Sequence, residues 1–97
     1  KRKPKIGTLG LSFKPDVSDL RTSPALLITK KLIQEDFEVL SCEPNLESHD
    51  GINLYELDYI LEEADLIVVL VAHSSFSNLK IRNKEILDFV NTKISYD

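Results

Sequence analysis

The 97-residue sequence predicts an α/β domain in three layers, with helices on both sides of a mostly parallel sheet of about five strands. Apolar strand-like runs alternate along the chain with segments of helical periodicity. The run at residues 65–71 contains six consecutive aliphatic side chains without polar alternation, which is typical of a strand buried on both faces of a parallel sheet. A chain of this length builds one small core, so we predict a single Rossmann-like domain over residues 1–97.

The first two strands and the helix between them have clear local signals. Residues 5–10 form a short apolar run that ends in glycine, which predicts a buried strand. Ser23 is a preferred N-cap and Pro24 fits the first helical turn, so a helix should begin there and end near Asp36. Residues 38–42 predict the second strand, and the polar residues after it predict a loop.

The second half of the chain continues the alternation. Asn53 and Glu56 have the spacing of a capping box, which predicts the start of a second helix. Its apolar residues recur at i, i+3, i+4 and i+7: Leu57, Ile60, Leu61 and Ala64. Residues 65–71 predict the third strand, Asn83 the cap of a short helix, and residues 92–96 a last strand. The apolar side chains of that short helix would be Ile86, Leu87 and Val90.

Charge and composition exclude several classes of protein. The chain carries 12 basic and 16 acidic residues, and from Ile6 onward eight basic residues face the same 16 acidic ones. Such a surface repels phosphate backbones, which excludes general nucleic-acid binding. Cys42, the one cysteine, forms no internal disulfide, and no apolar run approaches the roughly 20 residues that span a bilayer. We expect a cytoplasmic protein with no nucleic-acid and no membrane partner, and the missing initiator Met suggests a piece of a longer chain.

The segment 10–25, GLSFKPDVSDLRTSPA, follows the first strand and collects charged side chains at its carboxyl end, where parallel sheets bind their ligands. Its glycines do not form a dinucleotide fingerprint. Gly7, Gly10 and Phe13 lack the G-x-G-x-x-G spacing, and a bulky ring stands where close helix packing requires glycine. This loop is therefore not a cradle for a pyrophosphate.

The charged residues of this loop suit different chemical tasks. Lys14 is a flexible cation that can reach a phosphate or a sugar hydroxyl, and Arg21 is a planar fork suited to bidentate phosphate or carboxylate binding. Asp16 and Asp19 would orient these cations and stay ionised beside them. The alternative interpretation is a polar surface turn, in which Pro15 and the aspartates are turn formers and Arg21 is a solvated charge.

Four other residues carry groups that are candidates for chemistry. Cys42 matches no catalytic motif, so we expect a small structural residue whose pKa nearby glutamates raise. Glu43 stands where a ribose-binding acid would, but without the glycine fingerprint it is rather a turn former. His73, at a strand end, is the better candidate for a polar role, with hydrogen bonding within a loop as the alternative. His49 is expected to face solvent, and no zinc spacing joins either histidine to Cys42.

The pattern G-x-x-F-K-P-D-x-x-D-x-R-x-S-P-A at residues 10–25 resembles the signature that opens the C-terminal, UDP-binding domain of the UDP-glucose/GDP-mannose dehydrogenase family. The segment CEPN at residues 42–45 is similar to the end of that domain's second strand. The aliphatic run after Ala64, followed by His73 and Phe76, is similar to a further element. The resemblance covers essentially the whole chain, and its details are most similar to the branch of the family that acts on UDP-N-acetylmannosamine.

This resemblance implies that the chain is the UDP-sugar-binding domain of a larger NAD-dependent UDP-sugar 6-dehydrogenase. Members oxidise the C6 alcohol of the sugar to a carboxylate in two hydride transfers, through a cysteine thiohemiacetal. The N-terminal NAD-binding domain and the central domain with the catalytic cysteine would lie outside residues 1–97. The isolated chain would then be inactive, with no catalytic residue of its own, and the full-length enzyme a homo-oligomer.

The resemblance also implies roles for three residues of the loop. Phe13 and Lys14 would bind the nucleotide sugar, and Arg21 would reach the pyrophosphate of the NAD cofactor. The alternative from another class is a stand-alone interaction module such as a response-regulator receiver. A receiver would need acidic residues at the end of the first strand and a lysine near the last, and residues 7–10 offer no such acids.

Overall fold

The order of strands and helices is visible in a computed structural model, which describes residues 3–16, 19–21, 23–49, 51–77, 79–81, 84–90 and 95–96. In chain order the elements are β1 (Lys5–Leu9), α1 (Pro24–Gln34), β2 (Glu38–Cys42), α2 (Leu57–Glu63), β3 (Leu66–Val69), a 3₁₀ turn (Ser74–Phe76), β4 (Lys80–Ile81), β5 (Glu85–Asp88) and β6 (Ser95–Tyr96). Neither α1 nor α2, the helices of the described residues, is long and apolar enough to cross a membrane.

Four parallel strands form the main sheet in the order β2-β1-β3-β5. β1 lies between β2 and β3, so that Gly7 pairs with Leu40 on one side and Ile67 on the other. The chain crosses from β1 to β2 in one direction and from β2 to β3 in the opposite direction. Because such crossovers are right-handed, α1 and α2 lie on opposite faces of the sheet. The predicted three-layer parallel architecture is confirmed, with four strands in this sheet instead of about five.

Close packing between β1 and α2 depends on a glycine. A Cβ atom at Gly7 would lie 2.4 Å from Cγ2 of Ile60 and 3.1 Å from Cβ of Ala64. The helix therefore approaches the strand more closely than any side chain would allow. The buried residues of this core come from the sheet and from the elements packed on it: Leu9, Leu40, Cys42, Ile60, Ala64, Ile67, Val69, Phe76 and Ile81.

The start of α1 is as the sequence predicts. Ser23 is the N-cap, and its Oγ accepts a hydrogen bond from the backbone N–H of Leu26 at 3.2 Å. The same hydroxyl donates to the carbonyl oxygen of Leu11 at 2.6 Å, which ties the end of the preceding loop to its beginning. One buried serine thus starts the helix and fixes the loop.

The start of α2 differs from the prediction. Asn53 does not cap the helix, which begins at Leu57 with Glu56 as an N-cap that makes no side-chain capping bond. Instead, the carbonyl oxygen of Asn53 accepts from the N–H of Ser41 at 3.2 Å, and the N–H of Tyr55 donates to the carbonyl of Ser41 at 2.8 Å. Backbone hydrogen bonds to the outer edge of β2 hold this segment extended, so it does not enter the helix.

The predicted short helix with Ile86, Leu87 and Val90 is wrong, because residues 85–88 form strand β5. β5 pairs in parallel with β3, from Leu66 with Glu85 to Val69 with Asp88. A helix so short is weak alone, whereas the strand satisfies the hydrogen-bonding groups on the edge of β3. Asn83 and residues 92–94 lie outside the described residues. Ser95–Tyr96 is a strand as predicted, but it pairs with β4 in a separate two-stranded sheet.

Candidate functional site

The strand order changes direction between β1 and β3, at their carboxyl ends. The chain leaves β1 for β2 on one side and leaves β3 for β5 on the other, which is the arrangement that opens a ligand crevice in parallel sheets. Gly10 turns the chain there with a φ of +101°, and a Cβ at this position would lie 2.6 Å from Cβ of Val71. Three segments therefore meet at this point: the loop of residues 10–23, the residues after β2 and the residues after β3.

Glu43, which directly follows β2, anchors the start of the loop after β1. Its side chain is buried, and Oε1 accepts from the backbone N–H groups of Leu11 at 2.8 Å and Ser12 at 3.1 Å. Oε2 accepts from the N–H of Asn45 at 3.0 Å. Burial by itself raises the pKa of Glu43, but the backbone bonds from Leu11 and Asn45, with the imidazole of His73, lower it below its ordinary value. Glu43 is thus a buried, ionised carboxylate.

His73 connects the same three segments from the end of β3. Its side chain is 1% exposed, and its Nδ1 accepts from the backbone N–H of Asp16 at 2.7 Å. Because Nδ1 is an acceptor, the proton is on Nε2, which donates to Oε1 of Glu43 at 2.8 Å. The ring meets Phe76 edge-on, with 5.4 Å between centroids. Of the two interpretations of His73, the structure shows hydrogen bonding between loops, and a role toward a ligand stays a prediction.

Asp16 provides a second tie between the loop and the end of β3. The residue has a φ of +61°, and its carboxylate accepts from the N–H of Ser74 at 2.8 Å and from its hydroxyl at 2.6 Å. The hydrogen bonds from Ser74 lower the pKa of Asp16 below its ordinary value. The expectation that Asp16 orients a loop cation is therefore wrong, because the carboxylate accepts its hydrogen bonds from Ser74 of the 3₁₀ turn.

Phe13 and Lys14 lie on the outer side of this anchored loop. The Phe13 side chain is 49% exposed, and its backbone N–H donates to the carbonyl of Asp19 at 2.7 Å, which closes the loop on itself. Lys14 is exposed, while its carbonyl oxygen accepts from Oγ of Ser12 at 2.7 Å. The backbone is held and both side chains face outward, as ligand-binding groups require.

Arg21 lies on the same loop and is paired with Asp19, as predicted. Nε of Arg21 lies 3.1 Å from Oδ1 and Nη2 lies 3.0 Å from Oδ2, which makes the pair bidentate. The hydrogen bonds from Arg21 lower the pKa of Asp19 to about 2 and raise that of the guanidinium. The Arg21 side chain is 89% exposed, so the pair presents an oriented guanidinium to solvent.

A cleft of about 590 Å³ lies at the carboxyl end of β2. Its walls come from the residues after β2, the start of α2 and the 3₁₀ turn: Cys42, Glu43, Pro44, Leu46, Glu47, Leu54, Tyr55, Glu56, Leu57, Ser75 and Phe76. The three predicted ligand residues are absent from these walls, and the exposed carboxylates of Glu47 and Glu56 would repel a phosphate. Phe13, Lys14 and Arg21 therefore lie on an open surface and not in this cleft.

The remaining predictions about single residues have mixed outcomes. Cys42 is buried, and burial, followed by the charges of Glu43 and Glu56, raises its pKa to about 11, so its thiol is not a nucleophile at neutral pH. His49 is half-buried, which corrects the expected exposure, and among the described residues its Nδ1 has no hydrogen-bond partner. Glu43 forms a turn with Asn45 as predicted, but sequence reasoning missed its bonds to the loop and to His73.

The lowered pKa of Glu43 predicts that acid destabilises the domain. Because the folded pKa lies below the ordinary value of 4.5, the unfolded chain binds a proton more readily than the folded one. The stabilisation is complete above about pH 5 and is lost as the pH falls through the folded pKa. Urea midpoints at about pH 7, 5, 4 and 3 should therefore decline below about pH 5, and less steeply in Glu43→Gln. Equal slopes in the two proteins would contradict this role of Glu43.

The fold is a parallel α/β domain whose first βα loop presents the side chains of Lys14 and Arg21 to solvent. Residues 7–97 match the family described as "UDP-glucose/GDP-mannose dehydrogenase family, UDP binding domain". The chain therefore belongs to this family, as its UDP-binding domain. The receiver-like alternative is set aside.

Individual relatives are similar over most of the chain. A UDP-N-acetyl-D-mannosamine dehydrogenase of Campylobacter jejuni is 42% identical over 94 residues, and the match covers 89% of this chain and 23% of the relative. The native structure of the UDP-N-acetyl-mannosamine dehydrogenase Cap5O from Staphylococcus aureus is 32% identical with a TM-score of 0.82, over 99% of this chain and 25% of that one. A UDP-glucose dehydrogenase from Pyrobaculum islandicum, 24% identical with a TM-score of 0.80, shares the fold. The chain thus spans about a quarter of the length of these relatives.

Proposed function

We propose that the chain is the nucleotide-sugar-binding domain of an NAD-dependent UDP-sugar 6-dehydrogenase. The observation that carries this proposal is the loop after β1, whose backbone is anchored at Leu11, Ser12 and Asp16. The side chains of Phe13, Lys14 and Arg21 on the same loop are exposed. The similarity to two UDP-N-acetylmannosamine dehydrogenases favours UDP-N-acetylmannosamine as the substrate. The product would be the corresponding uronic acid, formed from the C6 alcohol.

The share of this domain in the reaction is binding and orientation. Lys14 would contact the phosphates or hydroxyls of the UDP-sugar, and the exposed ring of Phe13 would pack against the ligand beside it. A ligand held in this way is aligned for reaction without any catalytic group from the domain. The role fits Cys42, which is buried with a raised pKa and is therefore unsuited to be the family's nucleophile.

NAD, when bound, accepts the hydride from the sugar. This chain offers a group for one part of NAD, its pyrophosphate. The guanidinium of Arg21 suits that anion, because Asp19 fixes its orientation and the side chain is 89% exposed. The loop after β1 lacks the glycine spacing that cradles a dinucleotide. We therefore propose that another domain holds most of the cofactor, in a cytoplasmic homo-oligomer whose N-terminal and central domains supply the NAD fold and the nucleophile.

The 97-residue chain alone should reduce no NAD⁺ when mixed with UDP-N-acetylmannosamine, because Cys42 is not a nucleophile at neutral pH and the loop holds no dinucleotide. NADH absorbance measures the reaction. The matched control is the full-length polypeptide that contains the chain, which should oxidise the sugar with two NAD⁺ per turnover. NADH formation by the chain alone would contradict the domain assignment, and an inactive full-length polypeptide would overturn the proposed function.

A further inference from the structure

The backbone around Lys14 is held on both sides while its side chain is exposed. On one side, Oγ of Ser12 donates to the carbonyl oxygen of Lys14 at 2.7 Å. On the other side, Pro15 restricts the backbone and the N–H of Asp16 donates to Nδ1 of His73 at 2.7 Å. Within the described part of the chain, the Lys14 ammonium itself has no hydrogen bond or ion pair. The fixed part of this residue is thus its backbone.

His73 is not one of the residues proposed to contact the UDP-sugar, yet it holds the backbone beside Lys14. Its ring is buried, oriented by the edge contact with Phe76 and held by Glu43 through Nε2. Its Nδ1 is then aimed at the one backbone N–H that follows Pro15. Oγ of Ser12, which fixes the Lys14 carbonyl, also lies 3.3 Å from Nε2. Both contacts that hold Lys14 therefore meet at this imidazole.

We propose that His73 is a positioning residue for nucleotide-sugar binding, which fixes the backbone at residues 14–16 so that the Lys14 ammonium is presented to the ligand. The inference rests on the proposed function, because it requires that Lys14 bind the UDP-sugar. His73 touches no ligand and acts through Asp16 and Lys14. Its contribution is preorganisation: a loop already in its bound conformation loses less conformational entropy on binding.

The two nitrogens of His73 make different hydrogen bonds, Nδ1 with Asp16 and Nε2 with Glu43. Two substitutions test these hydrogen bonds one at a time. Asn at position 73 places an amide oxygen near the place of Nδ1, so it can still accept from Asp16 but no longer reaches Glu43. Gln places an amide N–H near the place of Nε2, so it can still donate to Glu43 but no longer accepts from Asp16. If His73 served only to satisfy the buried carboxylate, Gln would be the better replacement. If it positions Lys14, Asn would be the better one.

The test uses initial rates of the full-length polypeptide that contains this chain, with UDP-N-acetylmannosamine as the varied substrate. His73→Gln should raise the KM for the UDP-sugar roughly tenfold with kcat within about twofold, whereas His73→Asn should stay within about threefold in KM. A merely structural role would lower the folded fraction, and so the apparent kcat, without moving KM. The matched control is Ser41→Ala, which removes the buried 2.7 Å hydrogen bond to Thr8 between β1 and β2 and should leave KM unchanged.

A second measurement needs no ligand. In NMR spectra of the 97-residue chain, the amide proton of Asp16 should lie downfield in the wild type and in His73→Asn, and move upfield in His73→Gln. The ¹⁵N shifts of the imidazole should show an unprotonated Nδ1. A protonated Nδ1 in the wild type at neutral pH, or equal KM values in the two variants, would overturn this inference and leave the proposed function standing. A wild-type polypeptide that binds no UDP-sugar would overturn the proposed function, and this inference with it.

Discussion

Replacing Glu43 with Ala should lower the free energy of unfolding by about 3–5 kcal/mol, because it removes the acceptor of a buried hydrogen-bond network. The buried backbone N–H groups of Leu11 and Ser12 lose this acceptor. Nε2 of His73 keeps only the 3.3 Å contact with Oγ of Ser12, and the N–H of Asn45 loses one hydrogen bond at the surface. Each unsatisfied buried group costs about 1–3 kcal/mol, although relaxation and water entry recover part of the sum. Domains have only about 5–15 kcal/mol of stability, so much of this protein's margin would be lost.

Urea unfolding followed by circular dichroism measures this effect. For an expected loss of about 3–5 kcal/mol, the midpoint should fall by about 2–4 M urea. Glu43→Gln keeps the side-chain volume and one acceptor oxygen but turns its amide toward the N–H of Asn45, so we expect a smaller loss of about 1–2 kcal/mol. Glu47→Ala, in the same loop but exposed, is the matched control and should change stability by less than about 0.5 kcal/mol. If the Ala variant at position 43 matched this control, the network would not stabilise the fold.

Local signals in the sequence were sufficient for the main architecture. The unbroken aliphatic run predicts β3, because only a strand covered on both faces can bury every side chain. Ser23 and Pro24 predict the first residue of α1 because capping acts within a few residues. The alternation of these elements then leaves few topologies, since parallel strands require right-handed crossovers. The charged loop at the end of β1 follows from the same order.

The anchoring network of the site could not be predicted, because it joins residues distant in sequence. Glu43 and His73 are 30 positions apart, and Asp16 and His73 are 57 apart. Their only common signal is that each lies just beyond the carboxyl end of a strand, which indicates proximity but not burial. The prediction of Glu43 as a turn former counted local partners alone, whereas most of its hydrogen bonds come from other segments.

The errors at Asn53 and at residues 85–88 have one cause. In both places a local helical pattern competes with backbone pairing to an open sheet edge, and the pairing decides the conformation. The carbonyl of Asn53 accepts a hydrogen bond from Ser41 on the edge of β2, and β5 pairs with the edge of β3. Short segments carry little intrinsic helical stability, so nonlocal hydrogen bonds outweigh the pattern.

In the full-length polypeptide that contains this chain, Lys14→Ala should raise the KM for the UDP-sugar roughly 10- to 100-fold and change the KM for NAD⁺ less than about threefold. The ammonium would lose charge-assisted hydrogen bonds to the ligand. Within the described residues it stabilises no other group, so the fold should not change. Lys14→Arg keeps the charge and should recover part of the affinity, whereas Lys30→Ala on the exposed face of α1 is the matched control for charge alone.

Arg21→Ala should have the opposite selectivity and raise mainly the KM for NAD⁺. Its guanidinium is fixed by Asp19 in bidentate geometry, so Arg21→Lys, which keeps the charge but loses the fork, should recover only a small part of the loss. Initial rates with each substrate varied in turn give both KM values for every variant. Since Lys14 and Arg21 are on one loop, a general disturbance of that loop would raise both KM values in both variants. Equal effects on the two ligands would therefore contradict the division of roles, and opposite selectivity would assign the UDP-sugar to Lys14 and the cofactor to Arg21.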